Sequence, residues 1–429
     1  MEEKKKLGIY IHIPFCVRKC LYCDFLSDKA DRDVIDRYIE ALKKEIGYTA
    51  LNSIDFKGQF AVKTIFFGGG TPSLMDGDVI TDILNAVRER FDVSNEAEIT
   101  IECNPGTVTK QKLEQYKKAG INRLSIGLQS ANDDELKLLG RIHDYRQFLD
   151  TYSQAKETGF ENINIDLMSA IPGQTVDSYK ETLEKITALS PKHISAYSLI
   201  IEPDTPFYEI YSDDLSPSCC DASGINPPEG YSKWPSLPDE DSERQMYHMT
   251  KSILEEAGYH RYEISNYSLK GYECRHNISY WNGTDYLGLG VGAASYMNGI
   301  RYSNTSDIYT YMKACEKLDN IPTSEYFFDD EEDAPDDTDY LNKEGYHEAI
   351  QPLSKNERME EFMFLGLRMM EGVSKKGFKE RFNTSIEDVY GDVIKKLADQ
   401  KLLKVGEDMI KLTDRGIDVS NVVLANFLL

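Results

Sequence analysis

From Leu7 to Tyr197, short β-branched apolar runs alternate with longer stretches in which apolar residues recur every three or four positions. The runs Leu7 to Ile13, Val62 to Phe67, Glu98 to Glu102, Arg123 to Gly127, Asn162 to Leu167 and His193 to Leu199 read as strands. Between them, a spacing such as Val34, Ile35, Tyr38, Ile39, Leu42 and Ile46 lays one apolar stripe along a helix. This alternation predicts parallel βα units, and six of them close most of a barrel. The expected fold is therefore α/β: a partial (β/α)6 barrel, then an α+β region, then a winged-helix-like C-terminal domain.

After Tyr197 the pattern breaks. The division expected is a barrel over 1–211, an insertion loop over 212–241, an α+β extension over 242–323, an acidic insertion over 324–352 and a C-terminal domain over 353–429. Ser212 to Pro238 is rich in Ser, Pro, Gly and Asp, and contains the vicinal pair Cys219-Cys220, read as loop residues ahead of a redox pair because nothing nearby completes a metal site. Asp329, Asp330, Glu331, Glu332, Asp333, Asp336, Asp337 and Asp339, interrupted by Pro335, read as a solvated loop; a calcium site would need the EF-hand ligand order and its central glycine. Near the C-terminus, Leu402-Leu403-Lys404-Val405, the turn Gly406-Glu407-Asp408 and Met409 to Leu412 form a hairpin after helices, which is the winged-helix signal.

A chain of 429 residues has room for two or three domains. Its net charge of −24 argues against nucleic acid as a partner, because phosphate contacts need clustered Lys and Arg. No run approaches the roughly 20 apolar residues of a membrane span, and Met1-Glu2-Glu3-Lys4-Lys5-Lys6 leads into a strand without a signal-peptide core. A cytoplasmic location follows as an expectation. Eight cysteines in a chain this long do not make a disulfide framework.

Three of those cysteines carry the chemistry. Cys16, Cys20 and Cys23 are spaced C-x3-C-x2-C and followed by an aromatic residue, which predicts a [4Fe-4S] cluster with one iron left open. A zinc knot is the competing reading, but zinc favours paired C-x2-C units and a fourth ligand. The cysteine loop, Gly68-Gly69-Gly70-Thr71, Glu102, Gln129 and Asp166 each fall at the carboxyl end of a different predicted strand. In a βα barrel that edge is the active-site face. Cys103, beside Glu102, reads as a small buried residue rather than a fourth ligand.

The stretch Tyr10-Ile11-His12-Ile13-Pro14-Phe15-Cys16 through Cys23-Asp24-Phe25 resembles the signature of the radical S-adenosylmethionine superfamily. The glycine run resembles its motif for the methionine end of that cofactor. Resemblance to the oxygen-independent coproporphyrinogen III oxidase group implies that Tyr10, Gly69, Gly70, Thr71, Glu102, Gln129, Arg141 and Asp166 contact S-adenosylmethionine. Two departures point to a sister group: Phe25 stands where the oxidase pattern has a fourth cysteine, and few residues precede Tyr10. Cys274-Arg275-His276-Asn277-Ile278-Ser279-Tyr280-Trp281 resembles the H-N-x-x-Y-W motif of the HemW family of haem chaperones.

That resemblance implies haem as a third ligand, held at His276, Asn277, Tyr280 and Trp281, and acceptor haemoproteins as partners. It is compatible with a homodimer and with peripheral contact to a membrane. By residue chemistry alone, His276 and Trp281 suit local packing as well as ligation. The function expected is a haem chaperone. The alternatives are a coproporphyrinogen III oxidase-like oxidoreductase and haem degradation by radical methylation.

Overall fold

Six parallel strands carry the first half of the chain: β1 (Lys5–Ile13), β2 (Phe60–Gly69), β3 (Val93–Cys103), β4 (Arg123–Gln129), β5 (Asn162–Ser169) and β6 (His193–Ser198). They pair in chain order, each parallel to the next. The structure is a computed structural model that describes residues 4–52, 56–212, 225–318 and 345–429. Cys219, Cys220 and the acidic block from Asp329 to Asp339 lie outside the described residues.

Strand pleating explains where the core and the site come from. Alternate residues such as Ile9, Ile11, Ile65, Phe67, Ile99, Ile101, Leu124, Ile126, Ile163 and Ile165 are buried beneath the surrounding helices. On the helix Arg32–Asn52, Tyr38, Leu42 and Ile46 are fully buried, as the stripe predicts. Burying one such aliphatic side chain is worth roughly 1.5–3 kcal/mol, so this layer holds the barrel wall. The intervening residues, among them Tyr10, Thr64, Phe66, Glu98, Glu102, Arg123, Ser125, Asn164 and Asp166, face the other way and make a polar lumen.

The barrel is partial. Among the described residues β1 and β6 do not pair with each other, and the downstream α+β region occupies both free edges. β8 (Asn266–Ser268) runs antiparallel to β6, with β7 (His260–Arg261) outside it. β9 (Tyr286–Leu289) lies parallel to β1 and is followed by antiparallel β10 (Ala294–Met297), β11 (Ile300–Asn304) and β12 (His347–Pro352). Among the described residues the sheet has 12 strands. β12 falls within the stretch read as an insertion from sequence. Its residues are mostly exposed, so an edge strand of this kind lacks the apolar alternation that would announce it.

The short helix Arg275–Trp281 enters the lumen from the amino ends of the strands and closes its base. Its first turn is capped by Glu98 of β3, whose carboxylate accepts from the backbone N–H groups of Arg275 at 3.2 Å and His276 at 3.1 Å.

The C-terminal unit has its own core, built on Met363, Phe378, Phe382, Ile386, Tyr390, Ile410 and Phe427. Helices Lys355–Gly366, Lys375–Phe382 and Ile386–Asp399 pack on a small antiparallel sheet of β13 (Val373–Ser374), β14 (Leu403–Val405) and β15 (Met409–Leu412), in the order β13-β15-β14. That is the helical and hairpin layout of a winged helix. Ion pairs tie it to the body, Lys251 to Asp414 at 2.7 Å and Arg301 to Glu361 at 2.8 Å.

Candidate functional site

The loop after β1 holds Cys16, Cys20 and Cys23, all half-buried and unbonded to one another. It is clamped to the glycine segment after β2: Gly70 N–H donates to Ile13 O and Thr71 N–H to Phe15 O, both at 2.9 Å. Glycine is required at both neighbouring positions. Gly69 has φ +113, and a Cβ there would lie 2.5 Å from the His12 ring; a Cβ on Gly70 would lie 2.8 Å from Phe15 O.

A chain of contacts joins two of the cysteines through the lumen rim. Cys16 Sγ lies 3.4 Å from Thr71 Oγ1, Thr71 Oγ1 accepts from Asn104 Nδ2 at 2.8 Å, Asn104 Oδ1 accepts from Arg141 Nη2 at 2.8 Å, and Arg141 Nη1 lies 3.6 Å from Cys20 Sγ. Burial pushes the Cys23 thiol up to about 11, and the neighbouring Cys20 and Cys16 sulfurs push the same way. Among the described residues no three His, Cys, Asp or Glu side chains converge as they would on a single ion. Thiols that each hold a different iron of a cluster need not meet at one point, so the set suits a cluster better than zinc. Cys103 is buried, as the sequence suggests. Phe25 is 65 % exposed, far from the interior that a fourth ligand would need.

Above the lumen, Glu102 and Asp166 stand half-buried at the ends of β3 and β5. Burial pushes Glu102 up to about 8, with Asp166 adding to it; its carboxylate accepts from Gly69 N–H at 3.2 Å. Asp166 is also raised by burial, against hydrogen bonds from Asn164 at 2.7 Å and Ser125 at 3.2 Å. Arg141 completes the group, with Nη2 donating to Gly127 O and its buried Nε left without an acceptor. Gln129 has φ 75, a left-handed conformation at a register shift between β4 and β5, so a bulge re-aims this residue at the strand end. Raised carboxylates and an unsatisfied guanidinium suit a ligand that brings hydroxyls, an ammonium and a carboxylate.

Two contributors escape a reading from sequence. Asn104 bridges Thr71 and Arg141, as above. His12 accepts from Tyr10 OH at 3.1 Å and donates through Nε2 to Leu26 O at 2.8 Å, which fixes the cysteine loop to the strand. Both His12 and Tyr10 lie on one face of β1, so period-two reasoning could have found His12.

The predicted haem residues lie elsewhere. His276 is 1 % exposed, deep in the lumen base, with Nδ1 hydrogen-bonded to Thr64 Oγ1 at 2.8 Å and Nε2 to Tyr280 OH at 2.9 Å. Its ring stacks on Phe66, which stacks in turn on Tyr10, at 5.1 and 6.3 Å between centroids. Burial, then the Arg123 charge, lowers its pKa to about 3. Asn277 is half-buried beside it. Trp281 packs with Tyr262, Cys274, Ile278 and Met369 under the Arg368 guanidinium, 4.4 Å from its ring. The structure thus brings the residues expected to hold a cluster and S-adenosylmethionine together at the top of the lumen and leaves the four expected to hold haem at its base.

Residues 10–186 match the sequence profile of the radical SAM superfamily, and residues 353–419 that of the HemN C-terminal domain. The protein named heme chaperone HemW from Lactococcus lactis is 35% identical over 426 residues, spanning 99% of this chain and 98% of that one. Its counterpart from Bacillus subtilis is 33% identical, spanning 98% of each. The chain belongs to the HemW family. Membership agrees with Phe25 in place of a fourth cysteine. In fold the family member here resembles coproporphyrinogen III oxidase (HemN) from Escherichia coli, with a TM-score of 0.77 at 22% identity over 99% of this chain and 90% of that one. No helix among the described residues is long and apolar enough to cross a membrane.

Proposed function

We propose that this protein is a cytoplasmic haem chaperone that carries haem and releases it to acceptor haemoproteins. The observation that carries the reading is similarity along the whole chain to proteins named heme chaperone HemW, together with a cysteine loop that lacks the fourth cysteine of the oxidase pattern. Cys16, Cys20 and Cys23 would hold a [4Fe-4S] cluster, and S-adenosylmethionine bound at its open iron would supply the one-electron chemistry of the superfamily. Thr71, Asn104 and Arg141 steady the loop through their hydrogen bonds. Tyr10, through His12, fixes the loop on its other side. Gly69 and Gly70 let the backbone approach the cofactor, while Glu102, Gln129, Arg141 and Asp166 present carboxylate, amide and guanidinium groups to it.

The test loads the anaerobically purified chain with ferric haem and mixes it with apomyoglobin as a trap. Transfer of unchanged haem is the expected result. Conversion of coproporphyrinogen III to a decarboxylated product under reducing conditions, with no haem transfer, would replace the chaperone reading by an oxidoreductase.

A further inference from the structure

The cysteine loop has an outer side, away from the lumen. There Arg18, Lys19 and Leu21 form one wall of a cleft of about 510 Å³, within the range of roughly 300–1,000 Å³ typical of ligand pockets. Lys137, Gly140 and Arg141 add a second wall, and the stretch from Ile225 to Trp234 a third. The third wall is pinned in place. Trp234 Nε1 donates to Ile225 O at 2.9 Å, Tyr211 OH donates to Pro235 O at 3.0 Å, and Gly173 N–H donates to Ser236 O at 2.9 Å.

We infer that haem is held in this cleft by its apolar face and its propionates, with no iron ligand from the chain. The inference rests on the haem-carrier reading above. Leu21, Ile225, Pro228 and Trp234 are half-buried, so they keep apolar surface open to a ligand. Trp234 meets Phe207 and Tyr211 edge-on, at 6.1 and 6.5 Å between centroids, and its indole is a flat wall suited to a flat ring system.

Charge selects the same ligand. In a chain of net charge −24, the cleft is lined by four basic residues and one acidic residue, Glu229. Arg18 donates to Gly140 O at 2.7 Å and has no carboxylate partner among the described residues; Lys19 has no hydrogen bond or ion pair there at all. Lys137 is paired with Asp134 at 2.8 Å on the surface, where such a pair is worth little. Two propionates are therefore met by Arg18 and Lys19, with Lys137 beside them. Among the described residues that line the cleft there is no His, Cys, Met or Tyr, the side chains that ligate haem iron. A carrier that leaves the iron open presents it to the ligand of the acceptor, so transfer needs no bond to iron to be broken first.

The test is titration of the full chain with ferric haem and with iron-free protoporphyrin IX. The two should bind within about threefold of each other, and added imidazole should shift the Soret band of the loaded chain without releasing haem. Lys19→Glu with Lys137→Glu should weaken both ligands about tenfold or more. Lys376→Glu with Lys379→Glu, an equal change of charge on the C-terminal unit, should stay within about threefold of wild type. Protoporphyrin IX binding more than about tenfold weaker than haem, or a Soret band that imidazole does not move, would put the iron on a side chain and overturn the inference. Equal effects of the two charge-reversal pairs would overturn it as well, while the haem-carrier reading stands. Absence of haem uptake by the wild-type chain would remove both.

Discussion

The two ends of the barrel lumen use the same residue types and treat them oppositely. At the base, Glu98 is 5% exposed and accepts from two backbone N–H groups, and Cys274 Sγ lies 3.7 Å from its Oε1. Cys274 is sealed in, its thiol pushed by burial up to about 12. At the top, Glu102 is raised by burial and by Asp166, and three thiols stay half-exposed. A buried polar group with its partners in place is architecture; convergent groups held short of partners mark a place where a ligand completes them.

The largest effect expected is at the cysteines. Replacing Cys16, Cys20 and Cys23 together with Ala should abolish the iron content and cluster absorbance of anaerobically reconstituted protein, while Cys274→Ala should leave both intact. Cluster loss in the Cys274 variant would break the contrast between the ends.

The carboxylates come next. Glu98 lies beside Arg123, which is 2% exposed, so Glu98→Ala leaves a buried charge less compensated and uncaps the lumen helix. We expect a loss of about 3–5 kcal/mol in urea unfolding. Glu102→Gln, by contrast, should stay within about 1 kcal/mol of wild type near neutral pH, because Glu102 with a pKa of about 8 is already largely protonated there. Equal losses in the two variants would mean that both ends are structural.

The six parallel strands were legible from β-branched runs because a strand buried beneath helices on one face must show them. β3 starts at Val93, earlier than expected, since Ser94, Asn95 and Glu96 hide its first turn of pleat. The top of the lumen was legible too, because chemistry-bearing residues recur at strand ends. The base was not. The helix Arg275–Trp281 has seven residues, too few to show a period, and its burial comes from β2 and β3 rather than from its own sequence. The motif singled out His276, but only the geometry shows that both its nitrogens are engaged. Asn104 was missed because an asparagine after a strand reads as a turn residue.

His276→Ala sharpens the base of the comparison. It removes an enclosed ring stacked on Phe66 and leaves the Thr64 and Tyr280 hydroxyls each short of a partner. About 2–4 kcal/mol of stability should be lost, measured by thermal or urea unfolding. A loss under about 0.5 kcal/mol would show that the ring is not packed as described.

The smallest effect is a pH slope at the top. Glu102 has a folded pKa of about 8, above its unfolded value of 4.5, so protonation favours the folded state. Its stabilising contribution is complete below pH 4.5 and is lost as pH rises through about 8, since the unfolded chain releases the proton more readily. Glu45, enclosed and raised by burial to about 7, titrates in the same direction and contributes to the same fall in the wild-type chain. Subtracting the Glu102→Gln profile from that of wild type cancels Glu45 and isolates Glu102. The half-buried position screens the carboxylate, so the difference should be roughly 1 kcal/mol across the window. Wild type should lose ground to the variant between pH 6 and pH 8.5 in urea unfolding of the chain free of cluster and cofactor. Under the proposed cofactor site, saturating S-adenosylmethionine with the cluster in place should change the difference, because a ligand against Glu102 would alter the balance between its two protonation states. A flat difference in the ligand-free chain would mean that Glu102 is solvated like a surface acid, and the top of the lumen would lose the feature that separates it from the base.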